Sequence, residues 1–274
     1  MSATSTLIFS RDRPAQLDLL LSSLKQHAPD LFSQVTVLWT ATDRDYARGY
    51  DTLQDEHPEA LCLRELNFQQ QVREIVDGSA RYAAFLVDDC IAYRWLYEPV
   101  LPDKFLGAND DVLAFSLRLG KQGSDVCYPL RQSQTVPPLA YRAGQYVWEP
   151  AAGKHDWAYG CSLDGDIFRS RHLRLLLRGG YWGNPNQLEE HLCRQVAMVA
   201  LTKRACYSKS LIVGCPVNSV SATHGSNRYG DQFPVSTQSL NEAYLAGRRI
   251  TVESLDFSGG AGAHCEVDLT AGLG

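Results

Sequence analysis

Apolar residues along this chain fall in short bursts, separated by polar turns and by stretches with helical spacing. Residues 6–10, 35–39, 60–66 and 84–87 are such bursts, and each reads as a buried strand. Between them the period changes. Leu17, Leu20, Leu21 and Leu24 recur on one face of a helix that Pro14 is placed to start. Residues 46–56 read as a second helix, and Asn67 can cap a third that carries Phe68, Val72, Ile75 and Val76 on one side. Strands alternating with helices predict a parallel sheet covered on both faces.

A later strand is expected over 111–117, where Val112-Leu113-Ala114-Phe115 is continuous and apolar. From 120 to 158 the pattern dissolves into Gly, Pro, Gln and aromatic residues, and a long irregular stretch inside a domain is usually functional. Residues 161–168 lead into a helical segment at 171–177, and Asn184-Pro185-Asn186 introduces a helix over 187–198. Residues 211–213 read as a last strand, and the C-terminal end around Ser258-Gly259-Gly260 reads as loop. No repeat or linker interrupts the chain, so residues 1–274 are expected to form a single domain.

The run Ala83-Ala84-Phe85-Leu86-Val87 stops at Asp88-Asp89, followed by Cys90. Adjacent carboxylates repel each other and do not belong in a core unless paired or bound to a cation. Ligands bind at the carboxyl edge of an open α/β sheet. Asp88 and Asp89 are therefore expected to hold a hard divalent metal, with a phosphate-bearing ligand on its other side. The plain alternative is a strand leaving the sheet through an Asx turn.

The net charge of -5 argues against a general nucleic-acid binder. No stretch approaches the roughly 20 apolar residues of a membrane span, which leaves peripheral membrane association open. The N-terminus lacks the features of a secretory signal. Eight cysteines are scattered without a CxxC pair, the pattern of reduced thiols in a cytoplasmic protein.

Five segments in order resemble those of GT-A fold glycosyltransferases, especially the family 2-like group. Leu7-Ile8-Phe9-Ser10 opens into Arg11-Asp12-Arg13-Pro14, like the family's first nucleotide-facing loop. Phe85-Leu86-Val87-Asp88-Asp89-Cys90 resembles the strand that ends in a DxD motif, and residues 111–118 resemble the central strand after it. Residues 157–169, containing Asp164-Gly165, resemble the sugar-site edge. Leu188-Glu189-Glu190-His191 resembles the acidic motif that carries the base in inverting members.

The resemblance implies an α/β, Rossmann-like GT-A fold, with a mostly parallel central sheet flanked by helices. Residues 1–118 would form the nucleotide-binding half, and 119–274 the acceptor and sugar-binding half. Ser10, Arg11, Arg13, Asp88 and Arg228 would face the nucleotide donor, arginine offering a fork of donors suited to phosphate. Asp89 and Asp88 would hold Mn²⁺ or Mg²⁺, joined by His224, with His264 ranked after it. Cys90 departs from the motif, because a soft thiol stands where a carboxylate is usual.

Glu190 is the expected general base, with Asp164 and Glu189 as further catalytic acids. Trp157 and Tyr159, with Trp148 and Trp182, are candidates for a platform under a sugar. The implied reaction is metal-dependent transfer of a sugar from a nucleotide-diphosphate donor to a saccharide or other hydroxyl-bearing acceptor, with inversion. A degenerate, non-catalytic carbohydrate- or nucleotide-binding scaffold is the alternative. A sugar nucleotidyltransferase is disfavoured, since residues 10–14 contain no glycine to cradle phosphates.

Overall fold

The computed structural model describes residues 4–29, 32, 34–98, 100–199, 201–220, 228–260 and 262–274. The strands are β1 (Thr4–Arg11), β2 (Gln34–Thr40), β3 (Leu61–Arg64), β4 (Tyr82–Val87), β5 (Cys90–Ala92), β6 (Val112–Gln122), β7 (Val126–Cys127), β8 (Gln132–Ser133), β9 (Ala140–Arg142), β10 (Gln145–Trp148), β11 (Asp166–Arg169), β12 (Lys203–Lys209) and β13 (Ile212–Gly214). The helices are α1 (Pro14–His27), α2 (Arg44–Glu56), α3 (Phe68–Asp77), α4 (Pro102–Ala108), α5 (Ser170–Leu176), α6 (Pro185–Ala197) and α7 (Thr237–Leu245).

Among the described residues, one nine-stranded sheet runs in the order β3-β2-β1-β4-β11-β6-β12-β10-β9. Strands β11 and β10 run against the others. This is the expected mostly parallel α/β sheet. Side chains alternate across each strand. Ile8, Ala84 and Leu86 therefore join the core under α1, α2 and α7, while Leu7, Phe9, Ala83 and Phe85 join the core under α3, α5 and α6. Burial on both faces explains why these strands are apolar without a break.

Helix starts follow from local chemistry. Asp43 accepts from the backbone N–H of Asp45 and Tyr46 at 2.9 and 3.0 Å, and Asn67 from that of Gln70 at 3.2 Å. Asn184 does the same for Gln187 at 3.0 Å and so fixes the start of α6.

Four features differ from the sequence reading. The stretch over 120–158 contains strands, with Trp148 and Trp157 packed edge to face at 5.0 Å in a small core of their own. Helix α7 lies between the last expected strand and the C-terminal loop, where no element was expected. Strand β12 was not expected because its run is short and carries charges at both ends. The division expected at 118/119 falls inside β6, so both halves share one sheet. No helix among the described residues is long and apolar enough to cross a membrane.

Arg204 shows how a charge enters β12. It is buried and pairs through Nη2 with the buried Asp166. Its Nη1 donates to the carbonyls of Tyr159 and Gly160 at 3.1 and 2.8 Å, and Asp166 also accepts from the Ser162 N–H at 2.6 Å. One ion pair thus pins the segment that leads to Asp164. Arg204→Met would strand the Asp166 charge and is expected to cost about 3–5 kcal/mol in urea unfolding.

Candidate functional site

Strands β1 and β4 end at the same edge of the sheet, where their loops meet around Arg13. Asp12 takes a left-handed conformation, with φ at 54°, which a short polar side chain tolerates better than most. Its carboxylate accepts from the Thr42 N–H at 2.7 Å and ties the loop after β1 to the one after β2. The turn sends Arg13 inward.

The buried Arg13 donates through Nη1 to Asp88 at 2.9 Å and to Asp89 at 3.0 Å. Its Nε and Nη2 donate to the side chain and backbone carbonyl of Asn218, at 2.8 and 2.6 Å. Burial opposes the charge on Arg13, but the two carboxylates more than offset that and hold its pKa above the usual arginine value. The second oxygen of Asp88 accepts from Ser10 Oγ at 2.9 Å and the Arg11 N–H at 3.0 Å. Ser10 is held in turn by Tyr50, whose hydroxyl lies 2.6 Å away and whose ring stacks on Trp39 at 4.5 Å.

The other wall of the rim comes from β6, β11 and α6. Gly165 adopts φ +110°, open to glycine, and bonds both to Phe85 of β4 and to Leu117 of β6. Asp164 is thereby held at the edge, 3.5 Å from both Arg118 Nη1 and His264 Nε2. Glu189 reaches in from α6 and accepts from the Leu163 N–H at 2.9 Å and the Tyr159 hydroxyl at 3.0 Å.

The acids respond differently to this crowding. Burial, with Asp164 beside it, pushes Glu189 up to about 7. Burial also pushes Asp89 up to about 6, with Asp88 and Asp164 adding to the rise and Arg13 opposing it. For Asp164 burial is outweighed by His264 and Arg118, which hold it below the usual carboxylate range.

The expected site residues are therefore only partly brought together. Asp88, Asp89, Asp164, Glu189, Ser10 and Arg13 meet at the rim, but Ser10, Arg13 and Asp88 are spent on one another. Arg11 contributes its backbone and turns an exposed side chain toward Asp12 at 3.6 Å. Arg228 pairs with Asp231 and so is not a free donor. Glu190 is not brought to the rim. It lies on the outer face of α6, is exposed, and pairs with Arg194 one turn on at 2.6 Å.

Trp157 is not a sugar platform, because it is wholly buried with its Nε1 donating to the Ser124 carbonyl at 2.9 Å; Trp148 and Trp182 are core residues too. Tyr159 remains, with 41% of its surface exposed. His224 lies outside the described residues. Arg118 had no assigned role. Its signal was a charge set within the mostly apolar run of β6, between Leu117 and Leu119.

A divalent metal fits one carboxylate here, not two. Asp88 has both oxygens committed, and burial holds the Cys90 thiol protonated far above neutrality. Asp89 spends Oδ2 on Arg13, and Oδ1 takes no hydrogen bond from the described residues. Burial, with Asp88 and Asp164 nearby, raises its pKa, and a bound cation would favour its charged form. Among the described residues no three His, Cys, Asp or Glu side chains converge on one point. Such a cage is not required, since Mg²⁺ is commonly held by one or two carboxylates plus substrate phosphates.

No family model matches the chain. It is 25% identical over 211 residues to the bifunctional glycosyltransferase pgtA of Dictyostelium discoideum, a match covering 67% of this chain and 27% of that protein. The chain thus spans about a quarter of that relative's length. Among solved structures it is similar to the mannosyltransferase PcManGT from Pyrobaculum calidifontis in complex with GDP-Man and Mn²⁺, with TM-score 0.45, 11% identity, and 76% of this chain and 55% of that one covered. A cytidylyltransferase from Leptospira borgpetersenii gives TM-score 0.45, 12% identity, and coverages of 90% and 95%. Structural likenesses this distant carry nothing further. The sequence likeness to a glycosyltransferase, with the fold and rim above, bears out the resemblance carried by the motifs.

The two adjacent aspartates are expected to behave differently when removed. Asp88→Ala leaves Arg13 with one carboxylate and should cost about 3–5 kcal/mol in chemical denaturation. Asp89→Ala keeps the tighter pair and should cost less than half as much.

Proposed function

We propose that the chain transfers a sugar from a nucleotide-diphosphate donor to an acceptor hydroxyl, with inversion and with Glu189 as general base. One observation carries the reading: Glu189 and Asp164 are neighbouring carboxyl groups whose surroundings push their pKa values apart. Such a split assigns acid–base roles. A carboxyl poised at about 7 is suited to accept a proton at working pH, whereas Asp164 stays ionised beside Arg118 and His264.

The acceptor oxygen forms a bond to the anomeric carbon as the bond from that carbon to the diphosphate oxygen breaks. The electron pair leaves with the diphosphate, and the acceptor proton passes to Glu189. Asp164 accepts hydrogen bonds from sugar hydroxyls, and the exposed Tyr159 supplies an apolar face beside the base. Mn²⁺ or Mg²⁺, held by Asp89 and the donor's own phosphates, would neutralise the departing charge when bound. The likeness to pgtA supports sugar transfer as the reaction class.

Release of nucleoside diphosphate from a panel of nucleotide sugars, with and without Mn²⁺, tests the reading directly. Glu189→Gln should lower kcat by about 10²-fold or more, whereas Glu190→Gln should stay within about twofold of the parent. Equal loss in both variants, or in neither, would reject Glu189 as the base.

The kcat/KM profile should rise with pH through about 7 as Glu189 ionises. Stability should move the other way. The folded chain keeps the Glu189 proton to about 7, while an unfolded chain releases it near the ordinary glutamate value. Stability present below that ordinary value is therefore lost as pH rises toward 7. Glu189→Gln should flatten this slope in thermal melts recorded between pH 4.5 and 8.

A further inference from the structure

The edge of the sheet opposite the rim carries the reverse charge. There β4 begins and β11 ends, and a cavity of about 150 Å³ is lined by Arg81, Arg169, Ser170, Arg171 and Arg174. No acid lines it, in a chain whose net charge is -5. Strand β4 separates this cavity from Asp88, which places it roughly 20 Å from the rim at ~3.3 Å per residue.

The nearest acids stand off. Asp110 lies 3.5 Å from Arg169 and 3.4 Å from Arg171, and Asp77 lies 3.5 Å from Arg174; both side chains are largely in water. The Arg171 and Arg174 pairs, exposed on both sides, add little. Arg81 has no carboxylate partner among the described residues and lies over the Tyr82 ring at 5.6 Å.

Arg169 is the telling member. Its buried guanidinium donates through Nη1 to the Val112 carbonyl and through Nη2 to those of Leu106 and Asn109, neutral acceptors that take three of its five N–H groups. Burial holds its pKa below the usual arginine value against the opposing pull of Asp110, with Arg171 and Arg81 adding to the fall. Arg13 and Arg118, each set on carboxylates, are held above it.

We propose that this arginine-lined cavity is a second binding site, specific for a phosphate group and separate from the rim. Planar guanidinium forks match phosphate oxygens in pairs, and a doubly charged oxyanion supplies counter-charge for four arginines that meet only the exposed Asp110 and Asp77 carboxylates. The space equals about five waters at ~30 Å³ each, enough for one phosphate group with part of its hydration. The phosphate comes either free in solution or as the terminal phosphomonoester of a lipid headgroup. The site stands whether or not the rim transfers sugars.

Two arms test it on the full chain. In the first, thermal melts compare millimolar inorganic phosphate with sodium chloride at equal ionic strength. Phosphate should raise Tm by about 2–4 °C, consistent with binding to the native state alone. Arg81→Gln/Arg171→Gln should lose most of that rise, since neither side chain closes a helix end. If the double variant melts early in chloride alone, Arg81→Gln by itself replaces it and should at least halve the rise.

The second arm sediments the chain with vesicles containing phosphatidic acid or, at equal surface charge, phosphatidylserine. Binding to the first alone, lost in the variant, supports the lipid source. A phosphate-dependent thermal shift, lost in the variant, without vesicle binding supports the soluble source. A shift equal in chloride and phosphate, or one unchanged in the variant, overturns the site, as does equal binding to both vesicle types.

Discussion

A single guanidinium makes the ligand edge of this sheet possible. Two adjacent carboxylates leave β4 at a point that is mostly closed to water, and their mutual repulsion would otherwise unravel the turn. Arg13 sits between them and donates to both, while its remaining N–H groups hold Asn218 from the far end of the chain. The loop after β1, the end of β4 and the segment after β13 are therefore one electrostatic unit. Tyr50 and Ser10 brace the same carboxylate from beneath. The N-terminal and C-terminal parts of the protein are joined here by charge, and everything else at the rim is placed relative to that joint.

This unit divides the labour between neighbours in sequence. Asp88 faces inward, where both oxygens have donors to meet, and is part of the frame. Asp89 faces outward with an oxygen to spare and a proton affinity above the ordinary. Glu189 and Glu190 repeat the pattern on a helix. Successive residues are 100° apart around the axis, so one carboxylate enters the cleft and the other pairs with Arg194 in solvent.

These pairs also show what the sequence could and could not convey. The period of apolar residues gave the strands on both sides of Asp88 and the helices packed on them, since a side chain buried on either face leaves an unbroken apolar run. The order of acidic motifs located the rim. The rotation of α6 was legible too: Leu188, Leu192 and Val196 mark its buried stripe. Glu190 and Arg194 form an i,i+4 pair on the outer face, which points that glutamate away from the rim. The role of Arg13 was not legible, because a basic loop residue has the same appearance whether it awaits a phosphate or is locked to a carboxylate. Trp157 misled for a related reason, an indole in a Gly- and Pro-rich stretch being as suited to a small core as to a sugar face. Strand β12 escaped notice because Arg204 is compatible with burial only through Asp166, a partner distant in sequence.

The energetics of the rim argue that its acids are kept for use rather than for folding. A structure selected only for stability would neutralise Glu189 with a cation or replace it with an amide, since its ionisation is opposed by burial and by Asp164. Instead the Arg118 guanidinium and the His264 ring are both directed at Asp164. That arrangement fixes one carboxylate as charged and makes the next one reluctant to become so. Interaction between the two is repulsive while both are charged, and the repulsion is lifted once Glu189 gains a proton. The strain at this edge is thus released by the same event that general-base chemistry requires, whereas Arg13 and Asp88 beside it are committed to each other and keep the geometry fixed.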